Sequence, residues 1–477
     1  MRLSHLAAGC FLAVSSPEQS LARASNSQEA QTTPATSRRA PAPTSASAPL
    51  PRLSAATNRK AARRVAQLME DRYVFPEAGK RAAAVVRAAT KRGAYDALNT
   101  DELLANALAT DLRRVINDGH LNVFVDRSLA ESILRPPSQV GADDEAVADE
   151  AGRRGNYGLR RAEVLAGNVG YLEVREFAAP SAQLERAYGA ALTLLQNTDA
   201  ILIDLRQNGG GHGSSATLLA ATFFAQATRF VDTYDRPTNR RTEGWTPGVI
   251  PWLRRPSVPL YILTSKATYS AAEAIAYGLQ ANGRATIVGE ATGGGAHPTE
   301  YKAISGSIIL ALPESRSEHP VTRQNWQQVG VQPGVVVVAD AARERAHLMA
   351  LVALQGAATN PLRQEALAWD IEYARSRTSP AAVTAAALKR LVGRYGLRTL
   401  SYEASALSNE PGTLYYQLEG RPRFPLVPVE AEGDRIRFVL AEDDRVEITQ
   451  LSGSTLQMRK YDRSGQGVTA LRSPPAS

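Results

Sequence analysis

The chain has 477 residues, 44% of them hydrophobic and 21% charged, a globular composition long enough for two or three domains. Its net charge of +8 is concentrated: residues 1–65 hold nine basic and two acidic residues, so the remaining body is nearly neutral and lacks the dense Lys/Arg stripe of a nucleic-acid binder. One cysteine, Cys10, excludes an intrachain disulfide and a cysteine metal site, and six histidines without an H-E-x-x-H pairing argue against a zinc hydrolase, so neither metal nor cofactor is expected.

Residues 1–24 read as a secretory signal peptide, with Arg2 as the positive start, LAAGCFLAV as the apolar core and Ala22-Arg23-Ala24 as the cleavage site. That core is too short to span a membrane. The LAAGC box ending at Cys10 also resembles a lipoprotein cleavage site, a reading ranked second to plain export to the periplasm or exterior. Residues 25–57 form an Ala/Pro/Ser/Thr-rich linker whose composition cannot bury a core.

A helical subdomain is expected over 58–130. Its clearest helix starts at Thr100, an N-cap with Asp101 and Glu102 in the first turn, and buries Leu104, Leu108, Leu112, Val115 and Ile116. Asp118-Gly119 is a turn, and 120–126 alternates as a strand with His120, Asn122 and Phe124 on the less apolar face. A lone histidine there is ordinarily a surface or hydrogen-bonded residue. Residues 131–165 read as a loop. From 166 to 355, the apolar runs VGYLEV, AILIDLR, VPLYILTS, ATIVGE, SGSIILAL and GVVVVAD alternate with helical patterns, which predicts an α/β domain with a buried sheet. A connector over 356–384, a small all-β module over 385–465 and a disordered tail over 466–477 complete the chain.

Three loops of the α/β domain follow strands: DLRQNGGGHGSS, LTSKATYSAAE and VGEATGGGAHP. In the first, no Gly-Lys-Ser/Thr follows the glycines, so a phosphate loop is a poorer fit than a glycine-rich turn. In the second, Ser270 and Glu273 have the S-x-x-E spacing of a capping box, the ordinary reading of such a pair. A serine at a helix start also has free amides and the positive end of the helix dipole beside it, where an oxyanion could be stabilised. The stretch alone leaves both readings open.

The ordered series DLRQNGGG, TYSAAEAIAYGLQANGRATIVGEATGGGAHP and NWQQVGVQPGV, with RYVFPEAGKRAAA and NDGHLNVFV upstream, resembles the serine peptidase family of the C-terminal processing proteases, the tricorn core protease and interphotoreceptor retinoid-binding protein. The resemblance covers about residues 58–355 and is nearest the retinoid-binding-protein-like branch. It implies a crotonase-like (ClpP/crotonase type) ββα core and an acyl-enzyme mechanism on a peptide or protein substrate. Ser270 matches the nucleophile, and the amides of Ala271 and of Gly209 or Gly210 match the oxyanion hole. The processing proteases carry a lysine base where this chain has Gly295. His120, in Asp118-Gly119-His120, matches the base of the tricorn-like branch instead. The carboxylate that orients that histidine is replaced by Gln327, which offers a hydrogen bond but no charge; Glu290 and Glu300 are candidate substitutes. The resemblance places His297, with Gly294 and Gly295, at the substrate. The stretch between His120 and Val169 is too short for a PDZ-like module, so no tail reading is inferred. The alternative function is a weakly catalytic or non-catalytic binding protein for apolar ligands or peptides. The oligomeric state is not legible.

Overall fold

A computed structural model describes residues 53–136, 149–320, 322–407, 411–452 and 454–473. The signal peptide, Cys10, the linker to residue 52, residues 137–148 and residues 474–477 lie outside the described residues. Among the described residues, no helix is long and apolar enough to cross a membrane. The fold is mixed α/β. Twelve strands precede the C-terminal module: β1 (Asn122–Val125), β2 (Leu159–Leu165), β3 (Val169–Val174), β4 (Ala200–Asp204), β5 (Asp232–Asp235), β6 (Arg240–Thr242), β7 (Leu260–Thr264), β8 (Thr286–Gly289), β9 (Thr299–Ala303), β10 (Ile308–Pro313), β11 (Ser315–Glu318) and β12 (Val335–Val336).

The chain divides into two compact bodies. The first contains the helices Ala55–Arg72, Pro76–Lys91 and Asp101–Arg113, the segment Leu121–Arg135 and the segment Tyr301–Leu312. Thr100 caps its third helix by accepting from the Leu103 amide, and Leu104, Leu108 and Leu112 are fully buried. Strand β1 pairs antiparallel with β10.

The second body contains Asn117–His120, Pro136–Glu300 and Pro313–Ser477. It is built on a six-stranded sheet of order β12-β8-β7-β4-β3-β2, parallel except for β2 at one edge. All five residues of β4 and all five of β7 are buried, because both sheet faces are covered. On one face Ile201, Ile203, Ile262 and Ile287 pack against the helices Ala182–Leu194, Gly213–Ala220 and Ala271–Ala281. On the other, Leu202, Leu263 and Val288 meet Ala346, Ala350, Leu367 and Ile371 of the helices Ala342–Ala357 and Pro361–Thr378. The alternation of neighbours 201, 202 and 203 between these cores is the period-2 geometry of a strand.

Eight antiparallel strands over 393–471 form the C-terminal sheet around Leu400, Leu414, Tyr416, Phe438, Val446 and Met458. A bridge between Tyr395 and Arg472 joins its first and last strands.

The structure corrects four expected boundaries. Order begins before residue 57: Ser54 caps the helix that starts at Ala55. The expected loop 131–165 contains β2, whose exposed Arg160 and Arg161 make it read as polar while they blunt a sheet edge. The expected connector is largely the helix Pro361–Thr378, capped by the Asn360 side chain with proline at its first position. The expected tail contributes the strand Gly467–Leu471.

The β module is fastened to the Pro361–Thr378 helix by one buried and one half-buried arginine. The Arg445 guanidinium is fully buried, lies 4.4 Å over the Trp369 ring and donates to the carbonyls of Trp369, Ala441 and Glu442. Arg463 pairs with Asp370 at 2.5 Å. Replacing Arg445 by methionine keeps much of the volume but strands those carbonyls. Arg445→Met is therefore expected to cost roughly 2–4 kcal/mol, seen calorimetrically as an earlier transition of the module. An unchanged melting profile would show that the module does not depend on this contact.

Candidate active site

The three loops leave the carboxyl ends of β4, β7 and β8, where parallel sheets place their ligand crevices. Backbone and side-chain hydrogen bonds stitch them together. Beyond β4, the Asn208 side chain donates to the Val174 carbonyl and accepts from the Gly210 amide at 2.8 Å, while its own carbonyl accepts from the Tyr269 amide. The Thr268 hydroxyl donates to the Leu205 carbonyl, and the Thr268 carbonyl accepts from the Gly293 amide. Gly210 has φ 111°, and a β-carbon there would lie 2.7 Å from that of Ser270, so only glycine fits.

Ser270 sits between β7 and the helix Ala271–Ala281 with φ 54° and ψ −119°, a strained conformation for a non-glycine residue. Glu273 holds it there. This buried carboxylate accepts from the Ser270 amide at 2.8 Å, from the Gly294 and Gly295 amides at 2.6 and 2.7 Å, and from the Thr292 hydroxyl. Burial pushes its carboxyl above the ordinary range, against four donors that favour the anion. The carboxylate half of the capping box is thus formed, and it also ties the Ser270 turn to the third loop. The Glu273 amide is directed at the Ser270 carbonyl, and the Ser270 hydroxyl lies 3.0 Å from His120 Nε2.

The amides of Gly209 and Ala271 donate to no protein acceptor among the described residues, whereas the Gly210 amide is occupied by Asn208. Of the two expected glycines, Gly209 is therefore the one with a free donor. A β-carbon at Gly209 would meet nothing within 4 Å, so that side of the loop is open.

The His120 ring stacks at 4.8 Å on that of Tyr269, and burial pushes its imidazole down to about 4, opposed by the negative charge of Asp118. Gly295 backs onto both rings: a β-carbon there would lie 2.6 Å from His120 Cε1 and 2.3 Å from Tyr269 Cζ. Histidine at 120 and a side chain at 295 compete for one space, which explains why this chain has glycine there. Asp118 accepts from the His120 amide at 3.0 Å and lies 2.7 Å from His297 Nδ1. Burial pushes the Asp118 carboxyl up, and His297 with the His120 amide reverses this, leaving it below the usual carboxylate range.

His297, Gly294 and Gly295, expected at the substrate, are each engaged by protein partners. His297 is 3% exposed and turned onto Asp118. The Gly294 and Gly295 amides are held by Glu273, and their carbonyls accept from the Gln328 amide and the Trp326 indole. Gly294 has φ 85° with the Gln328 backbone 3.0 Å from where a β-carbon would lie, and Gly295 is packed against the His120 and Tyr269 rings, which is their reason for being glycine. Gln327 does reach the loop, but its oxygen accepts from the Ala296 amide at 2.7 Å, and neither its nitrogen nor His120 Nδ1 has a protein partner. Glu300 is exposed, Glu290 is half-buried, and neither charge bears on His120.

Sequence reasoning missed the roles of Asn208, Trp326 and the Asp118–His297 pair. Asn208 opens a glycine run and Asp118 opens the D-x-H motif. Each was within reach as a polar residue heading a turn, but their partners lie 34 and 179 positions away in the chain.

A strained serine at a helix start, an imidazole on its hydroxyl and two unoccupied amides on a mixed α/β sheet define the class of serine-nucleophile hydrolase sites. Residues 168–337 match peptidase family S41, and residues 51–150 match the N-terminal domain of Peptidase_S41 in eukaryotic IRBP. Together these matches take in more than half of the chain, which belongs to peptidase family S41. It is 30% identical over 170 residues to a carboxyl-terminal-processing protease of Synechocystis sp. (strain ATCC 27184 / PCC 6803 / Kazusa), covering 36% of this chain and 38% of that protein. A protein of the same description from Picosynechococcus sp. (strain ATCC 27264 / PCC 7002 / PR-6) is 30% identical over 169 residues, 35% of this chain and 39% of the relative. The chain thus matches under two fifths of the length of these curated relatives. The photosystem II D1 C-terminal processing protease structure shares 15% identity at a TM-score of 0.43, over 60% of this chain and 94% of that one.

Because Gly295 and His120 share one space, Gly295→Ala is expected to displace the imidazole from Ser270 while the fold persists. Labelling of Ser270 by a fluorophosphonate should slow about 100-fold, the cost of a misplacement near 1 Å, with the far-ultraviolet circular dichroism unchanged. Wild-type labelling in this variant would refute the steric account.

Proposed function

We propose that the chain is an exported serine-type peptidase that works through an acyl-enzyme on Ser270, with His120 as general base. The observation that carries this reading is the 3.0 Å approach of His120 Nε2 to the hydroxyl of a strained serine flanked by free amides. In this reading Ser270 Oγ attacks the scissile carbonyl and its proton passes to Nε2. The Gly209 and Ala271 amides hold the oxyanion, Nε2 then protonates the leaving amine, and water hydrolyses the ester by the same route. The crotonase-like assignment of the sheet and its helices, and export directed by residues 1–24, belong to this proposal. The substrate is proposed only as a peptide or protein.

Gln327 supports a second reading, a weakly catalytic binding protein, since no carboxylate touches His120 Nδ1. A cavity of about 470 Å³ away from Ser270 mixes charged lining (Glu372, Arg375, Glu430) with apolar lining (Trp369, Ile371, Val429).

Labelling with a fluorophosphonate serine probe, mapped by mass spectrometry, separates the two readings. Modification at Ser270 that is lost in Ser270→Ala and His120→Ala is expected of the peptidase. No labelling of the folded protein would favour the binding protein. The pH profile adds a check. The imidazole must be unprotonated to accept the proton, so the labelling rate should rise with pH through a limb near 4 and be flat across the ordinary histidine range. A limb at or above 6.5, the unperturbed value, would show that His120 is not the buried base described above.

A further inference from the structure

Resting on the hydrolase reading of the Ser270–His120 pair, we propose that Asp118, clamped between the His120 amide and the His297 ring, is the carboxylate that supports the positive charge His120 gains on taking the Ser270 proton, a task position 327 cannot perform with a glutamine.

The argument runs by elimination around the imidazole. Its Nε2 faces Ser270, one ring face lies on Tyr269, its Cε1 edge abuts Gly295, and Nδ1 has no protein partner. Gln327 is uncharged and its oxygen is committed to Ala296. Glu273 is the other buried carboxylate of the site, but its oxygens are shared among four donors on the far side of the glycine loop, and it is not among the charges that act on His120. Asp118 remains. Its side chain is 1% exposed, so water screens its field poorly, and, after burial, which opposes it, its charge is the one that favours protonation of His120, with His297 acting the other way.

Two features keep Asp118 in place and charged. The His120 amide bond, two residues along the chain, fixes the carboxylate to the backbone that carries the imidazole. The 2.7 Å contact with His297 Nδ1 satisfies the other oxygen. The support is electrostatic and acts through space, without the direct carboxylate–Nδ1 hydrogen bond of a conventional triad. Asp118 is therefore a positioning residue, and His297 is its clamp.

The test is a charge-swap cycle with two readouts, fluorophosphonate labelling of Ser270 and the titration midpoint of the His120 ring by NMR. Asp118→Asn keeps an oxygen for the His120 amide and removes only the charge. Its His120 midpoint should fall by about one unit, as expected for loss of a nearby opposite charge, and labelling should slow roughly tenfold. Adding Gln327→Glu to Asp118→Asn should recover both, because a carboxylate returns at the position where the resemblance expects the one that orients the histidine. An unchanged midpoint in Asp118→Asn would overturn the proposal. So would a loss that Gln327→Glu does not recover, which would assign Asp118 to loop structure alone. If Asp118→Asn does not fold, Asp118→Ser, which still offers an acceptor, takes its place in the same cycle. Failure of the wild type to label, with the midpoint shift intact, would overturn the hydrolase reading and leave the Asp118–His120 coupling standing.

Discussion

The Glu273 carboxylate binds three amides and a hydroxyl that belong to two different loops, and the geometry of the site depends on it. Ser270 can hold a strained backbone only because its amide is fixed from one side by Glu273 and its chain neighbours are fixed from the other by Asn208 and Leu205. The same carboxylate draws Gly294 and Gly295 inward, which brings Gly295 against the ring of His120. Ser270 and His120, the proposed nucleophile and base, lie 150 positions apart in sequence and are therefore positioned through one buried carboxyl group that bonds to neither reactive atom. A residue that serves first as a helix cap has become the point where the capping of one element sets the conformation of another.

Burial has two opposed effects on His120 in the proposed proton transfer. It keeps His120 unprotonated and able to accept, but an imidazole held that far below its usual range is a weak base. Whatever charge lies near the ring then has a large effect, because little water is present to screen it. Position 327 is where an orienting carboxylate is expected, and the structure shows why a glutamine fits there without breaking the loop: its oxygen accepts from Ala296, as a carboxylate oxygen could, and only the second terminal atom differs. The substitution leaves the scaffold in place and changes the electrostatics alone.

Much of this was readable from residue order. The buried strands AILID and LYILT declare themselves as unbroken apolar runs because both of their faces are covered. Ser270, His120, Gln327 and Gly209 were marked by motif and are found at one site. What was not legible follows from distance along the chain and from polarity. The helix after Asn360 buries a narrow stripe that includes Asp370 and Ser376, so its pattern is blurred. His297 was expected at the substrate, because nothing in the spacing of GGGAHP reveals that the ring turns back onto an aspartate in the first half of the chain. Gly294 and Gly295 look like a flexible loop in sequence; packing makes them the most constrained residues at the site.

The inventory of buried charge gives a reason why this site accommodates an amide at 327. Asp118 and Glu273 are already two desolvated carboxylates within one cluster, and both bear on the Tyr269 hydroxyl, whose pKa they raise together with burial. A third carboxylate at 327 would share the same poorly screened volume, and like charges at close range push one another toward the neutral form. A protonated acid there would gain nothing over the glutamine as a hydrogen-bonding group and would lose the charge for which a triad carboxylate is used. The site therefore has room for a limited number of anions. With Glu273 committed to the scaffold, the charge proposed to serve His120 can come from Asp118 or from position 327, and in this sequence the carboxylate present is Asp118.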